Sequence, residues 1–252
     1  MKKKLQKIFC FLLITGITFS CSHSKKDDEP TTAEAAYTKA KKLLDNKDYN
    51  SAADAFEKID NDFPFSKWSA KGQTMAVYAR YKEEDYIKLL STIDDFLRLN
   101  PSSEYVPYML YMKGLSYYNR IPEINRSQDD TQQASYVLRE LVARFPASDY
   151  AADAKEKLSF IDEHLAGAKM SVARYQMQNH NYVGAIENCK EVITRYRQTD
   201  QVPEAYFRLT EIYYKIGLKE ESHKAFSLLK SRFPKNSWTM RAKKIDSNFA
   251  NE

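Results

Sequence analysis

Apolar residues recur at helical spacing along nearly the whole chain. Near the C-terminus, Tyr206, Leu209, Thr210 and Tyr213 fall at i, i+3, i+4 and i+7, so they share one helix face. Gly217 breaks that helix, and Ser222, Phe226 and Leu229 form the matching face of a second one. Pro234 stops the second helix, and Lys235-Asn236-Ser237 starts the next. The pattern predicts a helical hairpin ended by an aromatic, a proline and a polar residue. The same punctuation follows amphipathic runs upstream at Phe63-Pro64-Phe65-Ser66, Leu99-Asn100-Pro101-Ser102 and Phe145-Pro146-Ala147-Ser148. Tyr196-Arg197-Gln198-Thr199 holds the equivalent place without proline. One such hairpin cannot bury its own apolar face, so neighbours must stack on it.

The intervals between these corners are 37, 45, 51 and 37 residues. That is close to the tetratricopeptide (TPR) period, with two insertions. The reading is an all-α chain, an α-solenoid of about five TPR-like helical hairpins. Repeat one spans Ala33 to Pro64, with Ala40 and Leu43 facing Ala52, Phe56 and Ile59. Asp48 caps its second helix. Repeat two carries Leu89, Ile93 and Phe96 on its second helix. In repeat three the insertion falls between two helices, at Arg120 to Asp130, and Asp130 is read as the next cap. The second insertion lengthens one helix, Asp149 to Gln178, to about 45 Å. Its apolar stripe is read as Ala154, Leu158, Ile161, Leu165, Met170 and Val172. A short helix, Trp238 to Phe249, closes the array. The long helix divides an N-terminal half, 33–148, from a C-terminal half, 149–252.

The N-terminus changes the picture of charge and location. Lys2, Lys3, Lys4 and Lys7 precede an apolar run, Ile8 to Phe19, too short to span a bilayer. Thr18-Phe19-Ser20-Cys21 then has the form of a bacterial lipoprotein cleavage site, with Thr18 where leucine is usual. Residues 1–20 are therefore read as a lipoprotein signal peptide and 21–32 as a polar, flexible tether. Cys21 is the expected lipidation site. Cleavage removes four lysines and no acidic residue, so the formal charge of +5 falls to +1. No basic tract remains to suggest nucleic-acid binding. Cys189 is then left as a lone cysteine on an apolar face with Ala185, Val192 and Tyr196, the place of a buried small residue.

No catalytic or cofactor pattern emerges. The six glycines form no phosphate loop. His23, His164, His180 and His223 lack metal-ligand spacing, so neither a metal site nor a cofactor is expected. The 18 tyrosines carry more information. On the first helix of repeat three, Leu110, Gly114 and Tyr117 form a core-facing stripe, while Tyr108, Tyr111, Leu115 and Tyr118 lie about 100° away. In a TPR superhelix that second stripe lines the concave groove. Corresponding positions are Tyr37, Arg80, Met170, Arg174 and Phe207. The alternative is that these aromatics complete the packing between repeats.

Several segments, in order, resemble the BamD family, lipoproteins of the outer-membrane β-barrel assembly machinery. They are Ser20-Cys21, Asp60-Asn61-Asp62-Phe63-Pro64-Phe65, Arg98-Leu99-Asn100-Pro101, Tyr108 to Leu115, Leu141 to Ala154, Asp162 to Ala166, and Val172-Ala173-Arg174-Tyr175. The resemblance implies a non-enzymatic scaffold held by lipid on the periplasmic face of the outer membrane, among other Bam lipoproteins. It implies that the C-terminal repeats bind the POTRA domains of the barrel protein BamA, for which Arg174, Lys190, Phe207 and Arg208 are the candidates. It also implies that the N-terminal repeats receive the targeting strand of unfolded outer-membrane proteins, for which Tyr37, Arg80, Tyr108, Tyr111 and Tyr118 are the candidates. Arg80 is the expected partner of a terminal carboxylate. Where the family often has a basic residue, this chain has Glu187-Asn188-Cys189 before Lys190. Two other readings are a TPR adaptor of the Tol-Pal or division type and a glycan-binding SusD-like lipoprotein. The first usually has a uniform repeat and an N-terminal coiled coil; the second is much longer.

Overall fold

The computed structural model describes residues 30–249. The helices among them are α1 (Ala33–Asp45), α2 (Tyr49–Asp62), α3 (Lys67–Lys82), α4 (Tyr86–Leu99), α5 (Val106–Tyr118), α6 (Asp129–Arg144), α7 (Ala151–Gln178), α8 (Tyr182–Arg195), α9 (Val202–Lys215), α10 (Lys219–Arg232) and α11 (Ser237–Phe249). They pair as five hairpins closed by α11, which is the predicted all-α solenoid of TPR-like units.

Two corner types build the array. Inside four hairpins, Lys47, Glu84, His180 and Gly217 adopt left-handed backbone, with φ between 58° and 79°. The following N–H donates back to the carbonyl five residues earlier, as from Asp48 to Leu43 (3.0 Å) and from Leu218 to Tyr213 (2.9 Å). Asp48, Asp85 and Asn181 then cap the next helix, each accepting from the N–H three residues on. Between hairpins, Phe63, Asn100, Phe145, Tyr196 and Phe233 all end their helices with φ between −115° and −139° and ψ between 47° and 58°. Each accepts a hydrogen bond from the residue three on: Ser66, Ser103, Ser148, Thr199 and Asn236. The Tyr196 corner keeps this geometry without proline. The carbonyl acceptor and the polar residue make the corner, and proline only reinforces it.

The insertions differ in kind. Residues 119–128 form the long loop before α6, but Asp130 does not cap it. Gln128 is the N-cap residue, and Asp130 is paired with Arg120 at 2.8 Å. Gln128 instead holds the loop, its amide donating to the carbonyls of Glu123 and Arg126. The second insertion extends α7 to 28 residues, twice the 14 of α9. Val172, read as part of its buried stripe, is 46% exposed. Two residues after the buried Met170, it lies about 200° around the helix. Ala173 and Met177 continue the buried face.

The apolar core has two main bodies. Tyr37, Ala52, Phe56, Ile59, Ala76 and Ala79 close the first repeat onto α3. A second cluster runs unbroken from Val77 through α5, α6 and α7 to Ala242. Within it α5 touches α6 closely at Gly114, where an added Cβ would sit 2.4 Å from Leu138 Cδ2 and 2.7 Å from its Cγ. Gly114→Ala should therefore overpack the core and cost about 1–3 kcal/mol. Gly167 gives the opposite expectation. A Cβ there would meet only Ile124 Cγ2, at 4.0 Å. Gly167→Ala in the middle of α7 should stabilise by up to about 1 kcal/mol. Chemical denaturation of the two variants checks the pair; equal signs would contradict it.

Candidate functional site

In the first three hairpins the first helices pack on one another, the arrangement that puts them on the groove side of a TPR array. Helix α1 touches α3 and α3 touches α5, whereas α2 and α4 make no comparable contact. The expected groove face is therefore the face of α1, α3, α5 and α7. On it, α5 and the start of α7 run in parallel register. Tyr108 meets Tyr150, with ring centroids 5.7 Å apart, and Tyr111 stacks on the same ring at 5.1 Å. The Tyr111 hydroxyl donates to Asp153 Oδ2 at 2.7 Å. Two turns further on, Tyr118 meets Phe160 edge-on at 5.6 Å. Lys157 ties the seam together, lying 3.0 Å from Asp153 Oδ1 and 5.1 Å over the Tyr118 ring. On the α3 side, Tyr81 accepts from Asn119 at 2.7 Å, and Tyr78 is 36% exposed.

The result is an aromatic seam spanning three repeats. Tyr108, Tyr111 and Tyr118 are half-buried in it, so they serve inter-repeat packing and still show part of each ring. Burial pushes the Tyr108 and Tyr111 phenols well above their usual range, with Tyr150 and Tyr78 adding to it at Tyr108. Both stay neutral donors. Burial would also raise the Asp153 carboxyl, but hydrogen bonds from Tyr111 and Lys157 and the lysine charge hold it below its usual range. Flat, half-buried aromatic faces held in place by the Tyr111–Asp153 hydrogen bond suit an extended peptide carrying aromatic side chains.

The other predicted groove residues are elsewhere. Tyr37 is buried, its ring 5.3 Å from Phe56 and 4.8 Å from Trp68. It holds the first repeat together and lines no open groove. Arg80 is 1% exposed and turned toward α2. It donates to Glu57 (3.0 and 3.2 Å), to Asn50 (2.8 Å) and to Asp54. Two carboxylates already neutralise this guanidinium and its burial closes it off, so it is not open to a ligand carboxylate. Met170 is fully buried.

The C-terminal candidates divide in the same way. Phe207 is buried under Trp238 of α11, 5.0 Å between ring centroids. It is therefore part of the end cap and not an open partner surface. Arg208 lies over both rings and pairs with Glu204 (3.2 Å) and Glu211 (2.9 Å). Arg174 shares Glu204 at 3.0 Å. Lys190 alone of the four stands exposed, on the outer side of α8. Beside it lies Cys189, fully buried, its thiol pushed up to about 12 by burial. It should resist a thiol reagent at pH 8 until the protein is unfolded; rapid labelling of the native protein would contradict the packing of α8.

One feature escaped the sequence reading. Between α6 and α8, with α7 as its floor, lies a cleft of about 1390 Å³. Tyr136, Tyr175, Val172 and Ile124 expose apolar surface in it, and Asn188 reaches it from α8. The long α7 and the α5–α6 loop, the two insertions, create it. Their lengths were legible, but the spacing they impose between α6 and α8 was not.

The YfiO family model, described as outer membrane lipoprotein, matches residues 29–229. Outer membrane protein assembly factor BamD of Caulobacter vibrioides is 34% identical over 217 residues, covering 86% of this chain and 71% of that protein. The BamD of Rickettsia prowazekii is 31% identical over 250 residues, covering 98% of this chain and 100% of that protein. Among solved structures, the type IV pilus biogenesis factor PilW overlaps 84% of this chain and 99% of its own, with 12% identity and a TM-score of 0.39. A tetratricopeptide repeat protein from Parabacteroides merdae overlaps 87% and 75%, with 14% identity and a TM-score of 0.37. With a family model matched across most of its length and relatives above 30% identity matched over 71% and 100% of their own lengths, this chain belongs to the YfiO/BamD family of outer membrane lipoproteins.

Proposed function

We propose that the protein is an outer membrane protein assembly factor that works by binding alone. Family membership carries this reading, and the aromatic seam between α5 and α7 supplies a surface for its cargo. An extended strand of an unfolded outer-membrane protein lies along Tyr78, Tyr108, Tyr111, Tyr118 and Tyr150, its aromatic side chains against their rings. Arg80 takes no part. BamA docks on the C-terminal half through its POTRA domains, using the outer surface of α8 around Lys190 and the adjoining cleft. Other Bam lipoproteins complete the assembly.

Cys21, outside the described residues, carries the lipid that holds the protein to the periplasmic face of the outer membrane. No helix among the described residues is long and apolar enough to cross a membrane. Three acyl chains would hold firmly where one gives marginal binding. Two experiments test the reading. Affinity purification from detergent-solubilised envelope should recover BamA; recovery of Tol-Pal components or of glycan-uptake proteins instead would replace it. Fatty-acid label should enter wild type and not Cys21→Ala, and equal labelling would remove the anchor.

A further inference from the structure

Phe65 is fully exposed, at 101%. Its position in the fold gives no reason for a large apolar side chain. At the four equivalent corners the same place holds Ser102, Ala147, Gln198 and Lys235, all exposed and all small or polar. The corner geometry is common to all five, so it does not require phenylalanine at this one.

Its neighbours share one chemistry. Half-buried Trp68 is the second residue of α3. Lys67 Nζ stands 5.5 Å from the Trp68 ring centroid, and Lys71 Nζ stands 5.0 Å from the Trp68 and Tyr37 rings. Both lysines are exposed. The nearby carboxylates are partly engaged: Asp60 accepts from Ser69, and Asp62 lies 3.9 Å from Lys58. A protruding phenylalanine, a half-buried tryptophan three residues on and lysines over the tryptophan and tyrosine rings make up the residue set that settles at a bilayer surface. There the apolar ring enters the acyl boundary, the indole sits at headgroup level and the ammonium groups meet phosphates.

The topology places this corner at the end where the chain enters the fold. Helices α1 and α3 are the first members of successive hairpins and so run the same way. The Tyr37–Trp68 contact sets the second turn of α1 beside the first turn of α3. Thr32, which caps α1, therefore lies at the same edge as Phe65. From Cys21 to Thr32 the chain can span at most about 40 Å.

We infer that the Phe65 corner, with Trp68, Lys67 and Lys71, is a second membrane contact that inserts into an anionic phospholipid surface. The inference rests on the lipid anchor proposed at Cys21. One phenylalanine holds weakly by itself, but a tethered contact works at high effective concentration. The anchor keeps the protein on the membrane, and the corner sets which edge of the first repeat faces it.

The test uses the mature lipidated chain in a Trp238→Phe background, so that Trp68 is the single tryptophan. It is reconstituted into phosphatidylethanolamine and phosphatidylglycerol vesicles with acyl chains brominated near the headgroup. Trp68 emission should be quenched by about twofold or more, and Phe65→Asp should abolish most of that quenching. Acyl labelling should be the same in both. Equal quenching with and without Phe65, or none in either, would overturn the inference with the anchor intact. Absence of acyl label would instead mean that the anchor itself fails. A benzophenone amino acid at position 65, photolysed in cells, should yield a phospholipid adduct. A defined protein adduct in its place would reassign the corner to a protein partner.

Discussion

Replacing Ala185 by aspartate should lower the melting temperature by about 6–12 °C. Ala185 has no exposed surface, and it packs with Met177 of α7 and Ile212 of α9 where three helices meet. An aspartate carboxylate there would be buried among apolar side chains without a positive partner, costing about 3 kcal/mol or more. Because a solenoid is stabilised largely by contacts between neighbouring repeats, the loss should act first on the interface between repeats four and five. The far-UV signal should then fall in two steps, with the C-terminal helices unravelling first. Glu187→Ala is the matched control, because Glu187 is exposed on the same helix. Its effect should stay within about 0.5 kcal/mol. Glu191 would be a poor control: it bridges Lys169 at 2.8 Å and Arg195 at 3.0 Å. If Ala185→Asp and Glu187→Ala melted alike, the orientation of α8 would be wrong.

The repeat register was legible because it rests on local rules. Corner residues, helix periodicity and the 37-residue interval each report on neighbouring residues, and all three agreed. The left-handed corners were harder. Gly217 declares its backbone, but Lys47, Glu84 and His180 take the same conformation without the glycine that would mark it. Their shape comes from the hydrogen bonds that close the preceding helix, and composition does not show these.

The site was legible only in part, for a different reason. Helix phase places Tyr108, Tyr111 and Tyr118 on one stripe, and the structure keeps them together. Phase cannot say what fills the space opposite. Tyr37 points at Phe56 and Trp68, Arg80 at the carboxylates of α2, and Phe207 at α11. Those partners lie in other helices, and each depends on how far neighbouring repeats rotate. The same rotation brings Tyr150 and Phe160 into the seam. The sequence reading missed both because they lie on the next repeat.

Binding of cargo and binding of BamA should separate by mutation. Tyr78→Ala with Tyr108→Ala removes one accessible ring and one half-buried ring from the seam. Truncating aromatic anchors of an interface typically costs 1–4 kcal/mol, so affinity for a peptide copying the last strand of an outer-membrane protein should fall about tenfold or more. The fold should lose some stability but survive, since the Tyr111–Asp153 hydrogen bond and Lys157 over the Tyr118 ring still tie α5 to α7. Titration of the BamA periplasmic domain should be unchanged. Lys190→Glu should do the reverse, weakening BamA and sparing the peptide. Lys190 is the residue to reverse because it is exposed, whereas a glutamate at position 208 would face Glu204 and Glu211 and damage the fold. Each variant is titrated against both ligands after its helical spectrum is recorded. A tyrosine variant that lost BamA and kept the peptide would exchange the two assignments. Loss of both ligands with an intact spectrum would mean that the seam and α8 serve one continuous interface. Loss of both with a collapsed spectrum would mean that the seam tyrosines hold repeats three and four together and bind nothing.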